Sequence, residues 1–390
     1  MSLHPLEGQD GARKAVARSL HSGRLPPVLL LHGPRGVGKQ RFALWIGQLL
    51  LCEAPTAEGP CDACRGCRLS LRIEHPNLLW YLPVTKPPSR GSRARDREAL
   101  EEARMDLLAR IRAEPLRASH AEEPRGLHLA TIRNLLHEAG RSPAMGRRRL
   151  FLIADAEELV SQESSPEAAN ALLKVLEEPS PETWFVLTAS EPGRLLPTVR
   201  SRAMNLHLPP LPLEGVRDFL SRTVTASEEE IDRAAKLSGG SIGRALGFLP
   251  DGSEDGPLEV TRRRAFRLLR AALEPHATRR FAEALSFAPS GARGLHEVLT
   301  SLETWLRDVA AVAADQDDRV MNHDALEWIR TEVDRKSIHP LHAARAIAPV
   351  EEARGQAAGN VNPQLLMSRL LLALHRELLP IPQPERTKTP

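Results

Sequence analysis

The sequence predicts an α/β domain on a parallel sheet, followed by all-helical segments, and three observations carry that expectation. Residues 28–32 are a short apolar run that ends on a glycine loop and passes into helix-forming residues at 41–51. Two more apolar runs, 150–154 and 184–188, flank a stretch at 166–178 in which Ala168, Ala169, Leu172, Leu173 and Leu176 recur at helical spacing. Strands alternating with helices imply crossover connections and hence parallel pairing. After Pro209, Pro210 and Pro212 the strand signals stop and only helical periodicity continues.

A chain of 390 residues is long enough for roughly two to four domains. Apolar residues make up 42% and charged residues 26%, and no apolar run approaches the ~18 residues of a membrane span. The first twenty residues lack a continuous apolar stretch and a small-residue cleavage site, so a cytoplasmic location and no membrane partner are expected. A net charge of only +3 argues against nucleic-acid binding over the whole surface. Seven of the 53 basic residues are lysine, an arginine bias that base composition of the genome explains as readily as phosphate recognition.

In chain order, the α/β domain is expected over residues 1–208, with a cysteine loop at 52–67 and a charge-dense insertion at 85–126. Residues 98–112 of the insertion suit a helix laced with i,i+4 ion pairs, read as a solvated face or surface arm. Short amphipathic helices at 209–250 form a small helical domain, 251–257 is a Gly- and Asp-rich linker, and 258–380 is a third, helical domain rich in Ala, Leu and Arg. Residues 381–390, IPQPERTKTP, have too little apolar content to fold and are read as a disordered tail.

Two motifs carry chemistry. Residues 33–39, GPRGVGK, fit G-x-x-x-x-G-K between a strand and a helix. There Gly33, Gly36 and Gly38 let backbone N–H groups converge on phosphates and Lys39 reaches the outer ones. The next position calls for a hydroxyl on Mg²⁺ and holds Gln40, which impairs the metal site. Asp155, at the end of the second apolar run, remains able to orient a metal-bound water, but Ala156 follows it where a water-polarising carboxylate belongs. Glu157 is one position late. ATP or ADP binding is left open, and hydrolysis by this chain is not expected. The second motif is Cys52-x8-Cys61-x2-Cys64-x2-Cys67, which contains every cysteine of the chain. Four thiolates so close suit a structural, tetrahedral Zn²⁺ with no open position for catalysis. Disulfides or a redox pair are the alternatives, and a reducing compartment disfavours the first.

These residues resemble the clamp-loader subunits of bacterial DNA polymerase III, members of the AAA+ superfamily. The resemblance rests on the loop at 33–39, the four-cysteine insertion after the first helix, NALLKVLEEPSPETWFVLTASEP at 170–192 and LPTVRSR at 196–202. It covers 5–250 well and the later helices by class only. It implies a RecA-like AAA+ module with a zinc loop, a helical lid and a helical collar. The missing catalytic groups side with the delta-prime branch over the gamma and tau ATPases, as does EHPNLLWYL at 74–82. The family's Ser-Arg-Cys motif appears as Ser201-Arg202-Ala203, which implies that Arg202 is an arginine finger acting in trans on a neighbour's nucleotide. The bland alternative is a local ion pair for Arg202. The segment 239–246, GGSIGRAL, resembles the sensor-2 helix, with Gly243 where an arginine contacts nucleotide and Arg244 about 100° round the helix.

The resemblance therefore implies a subunit that assembles with gamma/tau- and delta-type subunits and helps load the sliding clamp on primed DNA. Two rival readings stand beside it: an active gamma- or tau-like ATPase, and a zinc-containing DNA-binding protein with a vestigial nucleotide fold. The 4% aromatic content disfavours the latter.

Overall fold

A computed structural model of the chain describes residues 3–89, 91–116, 125–159, 167–250, 254–288, 295–357, 359 and 361–379. The tail at 381–390 and residues 251–253 of the expected linker lie outside the described residues. Two compact units are present, one built from the sheet with its helices and 238–246, the other from 226–237 and the chain beyond 247.

The strands are β1 Val28–His32, β2 Leu78–Tyr81, β3 Val84–Thr85, β4 Arg125–Gly126, β5 Arg149–Ile153, β6 Thr183–Ala189 and β7 Met204–His207. Five of them form one sheet in the order β2-β5-β6-β1-β7, parallel throughout, while β3 and β4 make a small antiparallel ribbon. The central strands read as continuous apolar runs because both faces of the sheet are covered. Side chains alternate between two cores. Leu29, Leu31, Leu150, Leu152 and Val186 face one core with α1 (Asp10–His21) and α2 (Lys39–Leu50). Val28, Leu30, Phe151, Ile153, Phe185 and Leu187 face the other.

The helix α3 (Arg65–Leu71) begins inside the cysteine segment, with Cys64 as its N-cap and Cys67 in its first turn. The charged insertion forms α4 (Arg93–Ala113), and it is not wholly a solvated arm. Leu100 and Leu108 are buried, Arg104 donates to the Trp80 carbonyl at 2.7 Å and Arg112 to the Ile73 carbonyl at 2.6 Å. Long arginine stems reaching backbone carbonyls hold the helix on the domain. The second core is covered by α5 (Leu129–Ala139) and α6 (Glu167–Glu177), through Ile132, Leu135, Leu172 and Leu176. Arg149 ends α5 from the neighbouring strand: it donates to the carbonyls of Glu138 at 2.8 Å and Ala139 at 2.9 Å, groups a helix leaves without partners. After β6 come α7 (Pro197–Arg200), then β7 at the sheet edge, α8 (Leu213–Thr223), α9 (Glu228–Leu237) and α10 (Ile242–Phe248).

The second unit continues with α11 (Pro257–Leu273), α12 (Ala277–Leu285), α13 (His296–Ala313), α14 (Leu326–Lys336), α15 (Pro340–Arg345), α16 (Ile347–Ala357) and α17 (Pro363–Leu378). Leu268, Leu299, Leu302, Leu306, Leu371 and Leu374 fill its core. A polar network is buried beside them. Arg262 pairs with Glu259 and Asp324 and donates to Asn322 Oδ1 at 2.9 Å, while Asp308 accepts from the backbone N–H of Met321 at 2.8 Å and of Asn322 at 2.9 Å. Every member named here has a partner, as a buried network requires.

Candidate functional site

The loop between β1 and α2 takes the expected shape. Gly36 has φ 76° and Gly38 φ 100°, in the left-handed region that glycine enters without strain. At Gly36 the space is taken as well, since a Cβ there would lie 2.7 Å from the backbone N of Arg244. Segment 238–246 therefore packs directly on the loop, and Gly243 N–H donates to the Gly36 carbonyl at 2.9 Å. A Cβ at Gly243 would itself lie 3.0 Å from Gly36 Cα. An arginine at 243 does not fit this arrangement.

Lys39, 5% exposed, is turned back on the protein. Its Nζ donates to the carbonyls of Gly33 at 2.9 Å and Pro34 at 2.8 Å and to Ser190 Oγ at 2.9 Å. Burial lowers its pKa to about 8, against the opposing pull of Asp155 and Glu157. Gln40 Nε2 reaches Asp155 Oδ2 at 3.3 Å. The side chain that follows Lys39 thus donates to the carboxylate just after β5. Asp155 has φ 46° and its backbone N–H donates to Thr188 Oγ1 at 3.0 Å. Burial raises its pKa, and Lys39 and Arg35 oppose that rise.

Ala156 is fully buried and offers no carboxylate. Glu157, 2% exposed, points into the chain after β6, where Oε1 accepts from Ser190 N–H at 2.7 Å and Glu191 N–H at 3.4 Å. Burial pushes its carboxyl up, and Asp155 adds to the shift. Sequence reasoning missed Ser190 and this use of Glu157. The available signal was position, because ligand and site residues gather at the carboxyl ends of parallel strands. His32 and His207, at the ends of β1 and β7, lie against each other with ring centroids 5.0 Å apart and planes tilted by 41°. Burial, His207 and Lys39 all lower the His32 pKa.

Arg202 lies just after α7, away from this loop in sequence, and is exposed. It is ion-paired to Glu177 on α6 and donates to the Thr198 carbonyl at 2.8 Å. The local pair is therefore made in the isolated chain.

The four cysteines converge. Their sulfur atoms all lie within 4.8 Å of one another, with Cys61–Cys67 at 3.9 Å and Cys52–Cys64 at 4.0 Å. Four thiolates on one zinc at ~2.3 Å sit about 3.8 Å apart, so the spacing fits, and the group can hold a metal ion. Backbone N–H groups of Glu53, Cys61, Cys64 and Cys67 point at the sulfurs from 3.3–3.4 Å, which favours thiolates. Such donors lower the Cys61 pKa to about 6, whereas burial raises those of Cys52 and Cys67. A cation is the partner that lets buried and exposed sulfurs ionise together. His75 is outside the cluster: it is buried, and its Nδ1 accepts from Asn77 N–H at 3.1 Å.

No helix among the described residues is long and apolar enough to cross a membrane. Residues 8–212 match the family described as DNA polymerase III, delta subunit. The chain is 32% identical to the DNA polymerase III subunit delta' of Escherichia coli over 233 residues, 60% of this chain and 57% of that protein. It is 24% identical to subunit delta' of Bacillus subtilis over 94% of this chain and 96% of that one. Subunit tau of Escherichia coli is 28% identical over 65% of this chain and 33% of its own length. A gamma subunit-related protein of Thermotoga maritima aligns over 95% of this chain and 99% of its own at 16% identity and TM-score 0.38. The match spans only 57% and 52% of the Escherichia coli and Pseudomonas aeruginosa delta' relatives. With more than half of its length inside the family match and relatives named delta' in three bacteria, the chain belongs to the DNA polymerase III delta-subunit family, in the delta-prime branch.

Proposed function

We propose that this chain is a clamp-loader subunit that does not hydrolyse ATP itself and serves a neighbouring ATPase. In this reading residues 1–208 are an AAA+ module, 209–250 its lid and 258–380 a collar that holds it in a hetero-oligomer with gamma/tau- and delta-type subunits. Zn²⁺ on Cys52, Cys61, Cys64 and Cys67 staples the loop between α2 and α3. The complex, acting in the cytoplasm, opens the sliding clamp and places it on primed DNA.

The observation that supports this most is where the loop's groups are spent. Lys39 is bound to the loop's own carbonyls and to Ser190, Gln40 to Asp155, and Gly36 to Gly243. The first two use groups that a nucleotide or its metal would need, the Lys39 ammonium and the Asp155 carboxylate, and the third seats 238–246 on the loop. Arg202, by contrast, is exposed and held by a partly exposed ion pair to Glu177 and a bond to the Thr198 carbonyl. Such pairs are worth about 0–1 kcal/mol, so a neighbour's phosphate can take the guanidinium from Glu177 at little cost. A guanidinium placed on a γ-phosphate accelerates transfer by roughly 10³–10⁵ in comparable systems.

The test is reconstitution with gamma/tau- and delta-type subunits followed by native mass spectrometry and ATP turnover. The proposal requires a stable hetero-oligomer containing this chain and a bound metal, and negligible turnover by the chain alone. Turnover by the isolated chain comparable to that of the assembled loader would instead establish the active-ATPase reading.

A further inference from the structure

We infer that Glu157 is a positioning residue that keeps the phosphate loop closed: its carboxylate fixes the chain after β6, and Ser190 in that chain holds Lys39 on the loop's own carbonyls. The inference rests on the reading of the loop as idle and adds what enforces it.

Three contacts form one relay. Glu157 Oε1 accepts from Ser190 N–H at 2.7 Å and from Glu191 N–H at 3.4 Å, and Ser190 Oγ accepts from Lys39 Nζ at 2.9 Å. Ser190 is thus gripped through its backbone by the acid and grips the lysine with its side chain. Glu157 Oε2 is buried without a partner among the described residues. A buried carboxylate with an unmet oxygen is costly to keep. Orienting the two amides at the carboxyl end of β6 offsets that cost, because those amides set where Ser190 stands. The same contacts explain why Glu157 does not stand in for the missing carboxylate at Ala156: the oxygen that has partners is committed to backbone amides.

Breaking the relay at either end should free Lys39 for a phosphate. The test uses the full chain, titrated with a fluorescent N-methylanthraniloyl-ADP, with the modification of Lys39 by an amine-reactive reagent read by peptide mass spectrometry. Glu157→Ala and Ser190→Ala are each expected to raise ADP affinity about tenfold, the loss of one hydrogen bond to a charged group, and to increase Lys39 modification. Glu157→Gln keeps an acceptor oxygen for the two amides and is expected to behave as the parent chain. Should Glu157→Ala fail to fold, Ser190→Ala removes only a hydroxyl and carries the test. Unchanged or weaker ADP binding with unchanged Lys39 modification overturns the relay, as does a Gln variant that behaves like the Ala variant. Tight ADP binding by the parent chain overturns the idle-loop reading itself, so the two failures are separable.

Discussion

Gly36→Ala is the sharpest probe of the closure of 238–246 on the phosphate loop. At φ 76° an alanine sits in the left-handed region at a cost of about 1–2 kcal/mol. Its methyl would lie 2.7 Å from Arg244 N and 3.2 Å from Gly243 C. Both neighbours are backbone, so relief requires moving the first turn of α10 away. That motion breaks the 2.9 Å bond from Gly243 N–H to the Gly36 carbonyl, worth about 1 kcal/mol net. Together the local penalty is about 2–3 kcal/mol, a factor on the order of a hundred in the opening equilibrium. Amide hydrogen exchange at Gly243 reads that opening directly. A hundredfold faster exchange at Gly243, with the β1 and β6 amides unchanged, is expected. Exchange at the parent rate would refute the close packing from which the penalty is worked.

Other consequences follow from the same contacts. Lys39, with its pKa lowered to about 8 from 10.5, should titrate near pH 8 in an NMR experiment on the chain biosynthetically labelled with carbon-13 lysine. Between those two values the unfolded chain holds a proton that the folded chain lacks, so this residue's contribution makes stability rise with pH across that window; a midpoint above 10 contradicts its burial. The cysteine cluster should release one zinc per chain to a thiol-blocking reagent, detected with a metallochromic dye, and Cys64→Ser should weaken retention; a chain purified and refolded with zinc that holds none would remove the site. Asp308→Ala leaves the Met321 and Asn322 amides without their buried acceptor. It should destabilise the second unit by about 2–4 kcal/mol, seen as a lower urea midpoint, and a loss under 0.5 kcal/mol would show the network to be dispensable.

Strands β1, β5 and β6 were legible because burial on both faces leaves a continuous apolar run. Strand β7 was not: its four residues are mostly exposed, and only its pairing with β1 makes it a strand. The loop and the cysteines were legible because their chemistry is local, within seven and sixteen consecutive residues. The bonds that decide what the loop does are not local. Gln40 meets Asp155 across 115 residues and Lys39 meets Ser190 across 151, separations that only the sheet order closes. Helix α4 was underread for a related reason. Its charge pattern shows a solvated face, while the few residues that anchor it, Leu100, Leu108, Arg104 and Arg112, take their partners from other elements.

The most direct measurement is DNA- and clamp-stimulated ATP hydrolysis and clamp loading by a reconstituted loader carrying Arg202→Ala in this chain. Hydrolysis at the facing site should fall by a factor on the order of 10³, with clamp loading falling alongside. Glu177→Ala, which releases Arg202 from its local pair, should leave both at or above the parent level. A loader that hydrolyses ATP and loads clamps at full rate with alanine at 202 would contradict the proposal that this chain acts on its neighbour's nucleotide.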